Sequence, residues 1–172
     1  MPALGSIWRA LRVAEHVLTG SLLALVANLS QRVGIRCRWV PRATRWWHRR
    51  LCNCLQLQLQ SVGSPRPGAL LVANHISWLD VPAIGSLGAV TFVSKDEVRR
   101  WPVVGALAKI AGTLFIRRGG NQSAEVIKQI GDRIDAGASV MIFAEGTTGD
   151  GHSLRRFHPR PFAAAQSAEC AL

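Results

Sequence analysis

The sequence is short of cysteine, of carboxylates and of long apolar runs, and each shortage removes a class of protein. Its 172 residues include four cysteines, Cys37, Cys52, Cys54 and Cys170. No C-x-x-C pair or histidine cluster has zinc-ligand spacing, so a structural zinc module is excluded. Apolar residues make up 48%, enough for one domain to bury a core without a disulfide framework. The thiols are expected buried and reduced, which fits the cytoplasm. Cys52 and Cys54, two apart at the start of an alternating stretch, are expected on one face of a strand. There is no G-x-S-x-G elbow either, so a serine hydrolase would lack its nucleophile.

Carboxylates are outnumbered, with 10 Asp plus Glu against 21 Lys plus Arg and a formal charge of +11. Only Lys95, Lys109 and Lys128 are lysines, so the positive charge is mostly guanidinium. Such an imbalance calls for an anionic partner: phosphate, lipid headgroups or nucleic acid.

No apolar run reaches the ~20 residues of a membrane span. Residues 17–29 (VLTGSLLALVANL) come nearest, between Arg9, Arg12 and Glu15 on one side and Arg32, Arg36 and Arg38 on the other. A signal peptide, a tilted anchor and a helix lying in the interface share this pattern. The dense basic stretch that follows resists translocation, which favours membrane association over secretion. Across residues 32–50 arginine alternates with Trp39, Trp46 and Trp47, a composition suited to an anionic leaflet. A solvated basic helix with core tryptophans, or a stacking platform for single-stranded nucleic acid, would look similar. The apolar segment upstream favours lipid.

Beyond residue 50 the texture becomes that of an α/β domain, giving a division into a membrane-associated segment (1–50) and a folded domain (51–172). Residues 54–60 (CLQLQLQ) alternate strictly and predict a half-buried strand, closed by the turn-forming run at residues 63–68. Residues 69–73, 90–93, 113–116 and 139–143 are apolar runs of strand length. Helices are predicted over 81–87, 103–111 and 122–135, the last from the spacing of Val126, Ile127, Ile130 and Ile134. Strands alternating with helices predict a mostly parallel sheet flanked by helices.

Ligands of such sheets collect beyond the carboxyl ends of the strands. Three of these ends carry chemistry: Asn74-His75-Ile-Ser-Trp-Leu-Asp80, then Arg117-Arg118, then Ala144-Glu145-Gly146-Thr147-Thr148. Pro82 suits the first turn of a helix beginning near Asp80, which leaves His75 in a loop able to fold back onto the carboxylate. Asp80 would then fix the imidazole tautomer, and His75 would take a proton from an alcohol. The bland alternative is that Asp80 caps the helix and His75 is a polar loop residue.

These residues carry a resemblance to the bacterial lysophospholipid acyltransferases of the 1-acylglycerol-3-phosphate type. The first family motif, His and Asp separated by four residues, matches His75 and Asp80. The second is similar to Gly112-Thr-Leu-Phe115-Ile116-Arg117-Arg118, and the third to Phe143-Ala144-Glu145-Gly146-Thr147-Thr148. The likeness covers residues 55–165. It implies a glycerolipid acyltransferase-like fold and transfer of a fatty acyl group from acyl-CoA or acyl carrier protein to a lysophospholipid hydroxyl. His75 would be the base, Asp80 its orienting partner, and Arg117 and Arg118 the grip on an acceptor phosphate. Glu145, Gly146 and Thr147 would help bind the acceptor. No cofactor or metal is implied, no nucleic-acid partner is expected, and the implied location is the cytoplasmic face of a bacterial inner membrane.

Ala144 stands where the family pattern has Pro, and Thr148 where many relatives have Arg. This EGTT form resembles the branch acting on lyso-ornithine lipid, which becomes the alternative acceptor. The family continues with a further strand and a Val-Pro segment beyond the helix that residues 157–168 resemble. The chain is therefore expected to be truncated at its C-terminus, and an inactive lipid-binding member is a further alternative.

Overall fold

A computed structural model describes residues 2–63, 66–117 and 122–167. The four apolar runs become β1 (Leu70–Ala73), β2 (Val90–Lys95), β3 (Leu114–Ile116) and β4 (Ser139–Phe143), all parallel, in the order β1-β4-β2-β3. Parallel neighbours require crossovers. These contain α3 (Asp80–Leu87), α4 (Val104–Ile110) and α5 (Gln122–Asp135). Register places Ala73 opposite Phe143, Phe92 opposite Met141 and Lys95 opposite Ile116. Leu70, Val140 and Ile142 of the sheet pack with Ile130 and Ile134 of α5 and with Ala164 and Ala165 of α6 (Ala163–Ser167).

The strand expected over residues 54–60 does not form. Cys54 ends α2 (Val40–Cys54), after which Leu57 N–H donates to the Cys52 carbonyl at 2.9 Å and Gln56 takes a φ of 57°. Alternation supplies a face to bury, but a strand also needs a neighbour for its backbone groups, and residues 55–62 pair with none. Cys52 and Cys54 accordingly lie on a helix, where two residues are about 200° apart, rather than on one face of a strand. Both are buried free thiols; Cys37 is free and half-buried, and Cys170 lies outside the described residues. Burial pushes the Cys52 thiol above its ordinary value.

The apolar run at residues 17–29 sits inside α1 (Pro2–Arg32), a helix of 31 residues. Its segment Gly5–Arg32 is long and apolar enough to cross a membrane by length and composition. At 100° per residue its side chains sort onto two faces. His16, Ala24 and Ala27 are buried against the protein. Opposite them, Leu11, Leu18, Leu22, Leu25 and Leu29 are exposed, Leu18 by 70%.

Two glycines set how closely the helices approach. A Cβ on Gly20 of α1 would run into the Trp47 indole. Trp47 instead stacks on His16 at 4.3 Å between ring centres and donates its Nε1–H to the His16 carbonyl at 3.2 Å. Trp47 is thus part of the packing, whereas Trp39 and Trp46 are exposed. One residue on, buried His48 rests directly on Gly85 of α3. Burial pushes its imidazole below the ordinary value, with the Gly85 backbone opposing, so His48 packs as a neutral ring. Arg45 Nε donates to the Ser86 carbonyl at 3.2 Å and reinforces the same contact.

The His48 ring occupies the space a side chain at Gly85 would need. Gly85→Ala should therefore destabilise the fold by about 1–3 kcal/mol, the usual cost of overpacking. A thermal unfolding midpoint equal to that of the parent chain would contradict this account of α2–α3 packing.

Candidate active site

Because β1 and β4 are neighbours, the loops that follow them meet. His75 lies two residues beyond β1, and Glu145 two beyond β4. Arg117 follows β3, two strand positions from β4 and so about 10 Å across the sheet.

The first helical residue after the β1 loop is Asp80. Its carboxylate turns back onto that loop. Oδ2 accepts the Nδ1–H of His75 at 2.7 Å, the Ile76 N–H at 2.8 Å and the Ser77 N–H at 2.9 Å. Asp80 therefore does more than cap α3: it draws His75 and two loop amides onto one oxygen. Burial pushes the carboxyl pKa up, but the Ser77 amide, the His75 side chain and the Ile76 amide outweigh it and hold the group below its ordinary value. Ionised Asp80 fixes the proton on Nδ1 and leaves Nε2 as the acceptor.

The imidazole is also held by its flat face. The Phe143 ring lies 4.0 Å from it at 16°, and Phe92 backs Phe143 at 6.4 Å and 18°. Behind the ring, the His75 carbonyl accepts the Gly149 N–H at 2.6 Å, which ties the β1 loop to the β4 loop. The His75 side chain is 19% exposed, open enough for an alcohol to reach it.

Glu145 is 5% exposed, and its Oε2 is buried with no hydrogen-bond partner. Gly146 has a φ of +65°, and a Cβ there would sit 3.0 Å from the His158 ring, so backbone freedom and close approach both favour glycine. Thr147 is half-buried beside it, while Thr148 is exposed. Arg117 directs Nε to Asp96 Oδ2 at 3.2 Å and is otherwise largely exposed. Arg118 lies outside the described residues. Among the described residues no three His, Cys, Asp or Glu side chains gather as a metal site requires.

The structure thus brings His75, Asp80, Glu145, Gly146 and Thr147 together, and sets Arg117 apart on an acid of its own. Phe143, Gly149 and Asp96 were not legible as site residues. In sequence Phe143 is visible as the last residue of a strand and the first of the third motif, with no sign of a contact to His75. Its stacking on His75 follows from the β1–β4 adjacency, which no local pattern encodes.

A family model described as Acyltransferase matches residues 56–172. This chain belongs to the acyltransferase family. The lyso-ornithine lipid O-acyltransferase of Pseudomonas aeruginosa is 48% identical over 100% of this chain and 68% of its own length. The 1-acyl-sn-glycerol-3-phosphate acyltransferase of Neisseria gonorrhoeae is 36% identical over 62% of this chain and 44% of its own length. The crystal structure of a 1-acyl-sn-glycerophosphate acyltransferase from Thermotoga maritima superposes with a TM-score of 0.73 at 20% identity, covering 96% of this chain and 69% of that one. At that identity the superposition bears on the acyltransferase fold alone.

Asp80→Asn should lower turnover by roughly 10²–10⁴-fold, the usual worth of a positioned proton-transfer group, with little change in acceptor KM. The lowered Asp80 pKa also sets a sign for stability. Its contribution is complete above the unfolded aspartate value of about 4 and is lost as pH falls through the lower folded value. The stability gap between the parent chain and Asp80→Asn should therefore narrow in acid. A gap that widens below about pH 4 would contradict the role given to these hydrogen bonds.

Proposed function

We propose that this acyltransferase moves a fatty acyl group from acyl-CoA or acyl carrier protein to the hydroxyl of a lysolipid at a membrane surface. The observation that carries the reading is the 2.7 Å bond between His75 Nδ1 and Asp80 Oδ2, made by a ring stacked on Phe143. An alcohol ionises far above neutral pH, so its proton must leave as its oxygen attacks. His75 Nε2 takes that proton while the oxygen bonds to the thioester carbonyl carbon. The charge developing on the imidazole is balanced by Asp80. Collapse of the tetrahedral intermediate breaks the C–S bond, and the thiolate recovers the proton from His75. No covalent acyl-enzyme is needed, and the thioester donor is a co-substrate.

Lyso-ornithine lipid is the acceptor the observations favour over 1-acylglycerol-3-phosphate. The Pseudomonas protein of that name matches at 48% over the whole chain, against 36% over 62% for the Neisseria phosphate-acceptor enzyme. The site leans the same way. Arg117 is already paired with Asp96, and Glu145, buried two residues beyond β4, is a carboxylate, which repels a phosphate.

The reading places the protein at the cytoplasmic face of a bacterial inner membrane. The uncovered leucine stripe of α1 is a continuous apolar surface of the kind that seeks lipid. Exposed Trp39 and Trp46 stand among arginines suited to anionic headgroups.

Purified protein supplied with labelled acyl-CoA and lyso-ornithine lipid should form the diacylated product, and His75→Ala should reduce that rate at least about 100-fold. Transfer that survives His75→Ala would overturn the base assignment. The double variant Leu18→Glu/Leu22→Glu changes two exposed side chains and should sediment less with anionic vesicles than the parent chain. Equal sedimentation would remove α1 from the membrane contact.

A further inference from the structure

The loop of residues 147–158 folds over Glu145 and carries charge that the acyl-transfer scheme does not use. Gly149 is its pivot. A Cβ built on Gly149 would lie 3.3 Å from Glu145 Oε2 and 4.0 Å from Arg155 Nε. Glu145 Oε2 and Arg155 Nε are therefore no further apart than the sum of those distances. They are not bonded to each other: Glu145 Oε2 is buried and unpartnered, and Arg155 is exposed. Asp150 is close enough to feel the charge of Arg155, and its Oδ1 accepts the His152 N–H at 3.0 Å.

A carboxylate oxygen held out of water without a hydrogen-bond partner is costly. It marks a place where a cation or a strong donor is wanted, and a guanidinium beside it wants an anion. A ligand carrying both charges at matching separation would satisfy the pair. Ornithine is such a ligand, since four carbons separate its side-chain nitrogen from its carboxylate carbon, a span of about 6 Å when extended. A phosphate monoester offers only negative charge and would leave Glu145 unsatisfied.

We propose that Glu145 and Arg155, separated by Gly149, form a receptor for a zwitterionic acceptor headgroup, Glu145 taking the side-chain ammonium and Arg155 the carboxylate. This rests on the reading of the acceptor as an ornithine-type lysolipid and gives Arg155 a role that none of the three motifs contains. It also gives Gly149 two duties: its N–H holds the His75 carbonyl, and its missing side chain keeps a Cβ out of the space beside Glu145 Oε2. Headgroup recognition and placement of the base are thereby joined in one residue.

Equilibrium binding tests the receptor independently of turnover. Three lipids in identical detergent micelles serve as probes: lyso-ornithine lipid, the same lipid with its amine acetylated, and the same lipid with its carboxylate methylated. Tryptophan fluorescence of the full chain reads the affinity, and circular dichroism checks that each variant is folded. Acetylation and methylation should each weaken binding about tenfold in the parent chain, the scale of a lost charge-assisted contact. Glu145→Gln should weaken the unmodified lipid to the same degree and add nothing against the acetylated one. Arg155→Gln, on an exposed loop, should behave likewise towards the methylated lipid. Variants that weaken parent and blocked lipids equally, or blocked lipids that bind as well as the parent lipid, would overturn the receptor. Selective binding without acyl transfer would sink the proposed function and leave the receptor standing; transfer without selective binding would do the reverse.

Discussion

Everything in the site depends on one carboxylate oxygen. Asp80 Oδ2 gathers the His75 imidazole and the amides of Ile76 and Ser77, and three donors on one acceptor convert a loop of free dihedrals into a fixed bend. A loop ordered by a single side chain is only as firm as that side chain. The firmness comes from α3, which begins at Asp80 and is packed against α2 by His48 on Gly85. The base is thus steadied at second hand, through a buried neutral histidine that never meets substrate. Stacking on Phe143 supplies the remaining restraint, fixing the plane of the ring while Asp80 fixes its rotation about that plane.

Much of this was legible in sequence, and what was not shares a cause. The four strands and α3 to α5 follow from apolar runs, from the spacing of Val126, Ile127, Ile130 and Ile134, and from Pro82 near a helix start, all local signals. The bend of His75 onto Asp80 was one of two readings the local spacing left open, and the resemblance of the three motifs, not the spacing, favoured it. The strand expected at residues 54–60 failed because alternation reports which faces a segment could show, whereas pairing is decided by segments far away. The same blindness hid Phe143, whose stacking partner is some seventy residues distant and becomes adjacent only through the β1-β4-β2-β3 order. It hid Trp47 as well. Composition placed that residue with Trp39 and Trp46 as an interfacial aromatic, but Gly20 opens a slot for it against α1.

The excess of positive charge has a geometric sense once the helices are placed. Arginine is concentrated from Arg32 to Arg50, through the turn after α1 and along α2, which packs on the face of α1 opposite the uncovered leucine stripe. Ordinary surface leucines are scattered and need no explanation. Here they recur on one side of a long helix whose other side is made of small residues that fit against the body. A soluble protein would cover such a stripe or lose it; a lipid surface covers it at no further structural cost. On the proposed membrane contact, the guanidinium groups of residues 32–50 add attraction to anionic headgroups without specifying which lipid is acylated.

Selectivity must therefore come from the site, and there the sign of the charge is decisive. On the proposed function a lysolipid meets His75 beside the β4 loop, where Glu145 is a buried carboxylate. Had the loop offered an uncommitted arginine at position 148, the carboxylate would be neutralised from within and the site would accept an anion. Thr148 makes no such offer, and Arg117 is engaged with Asp96 on the far side of β2. On the proposed reading the surface suits acidic membranes, while the site suits a headgroup that brings its own positive nitrogen. Opposite preferences at the two levels are compatible because they act in sequence. The first concentrates the enzyme where lipids are, and the second decides which of them presents its hydroxyl to the imidazole.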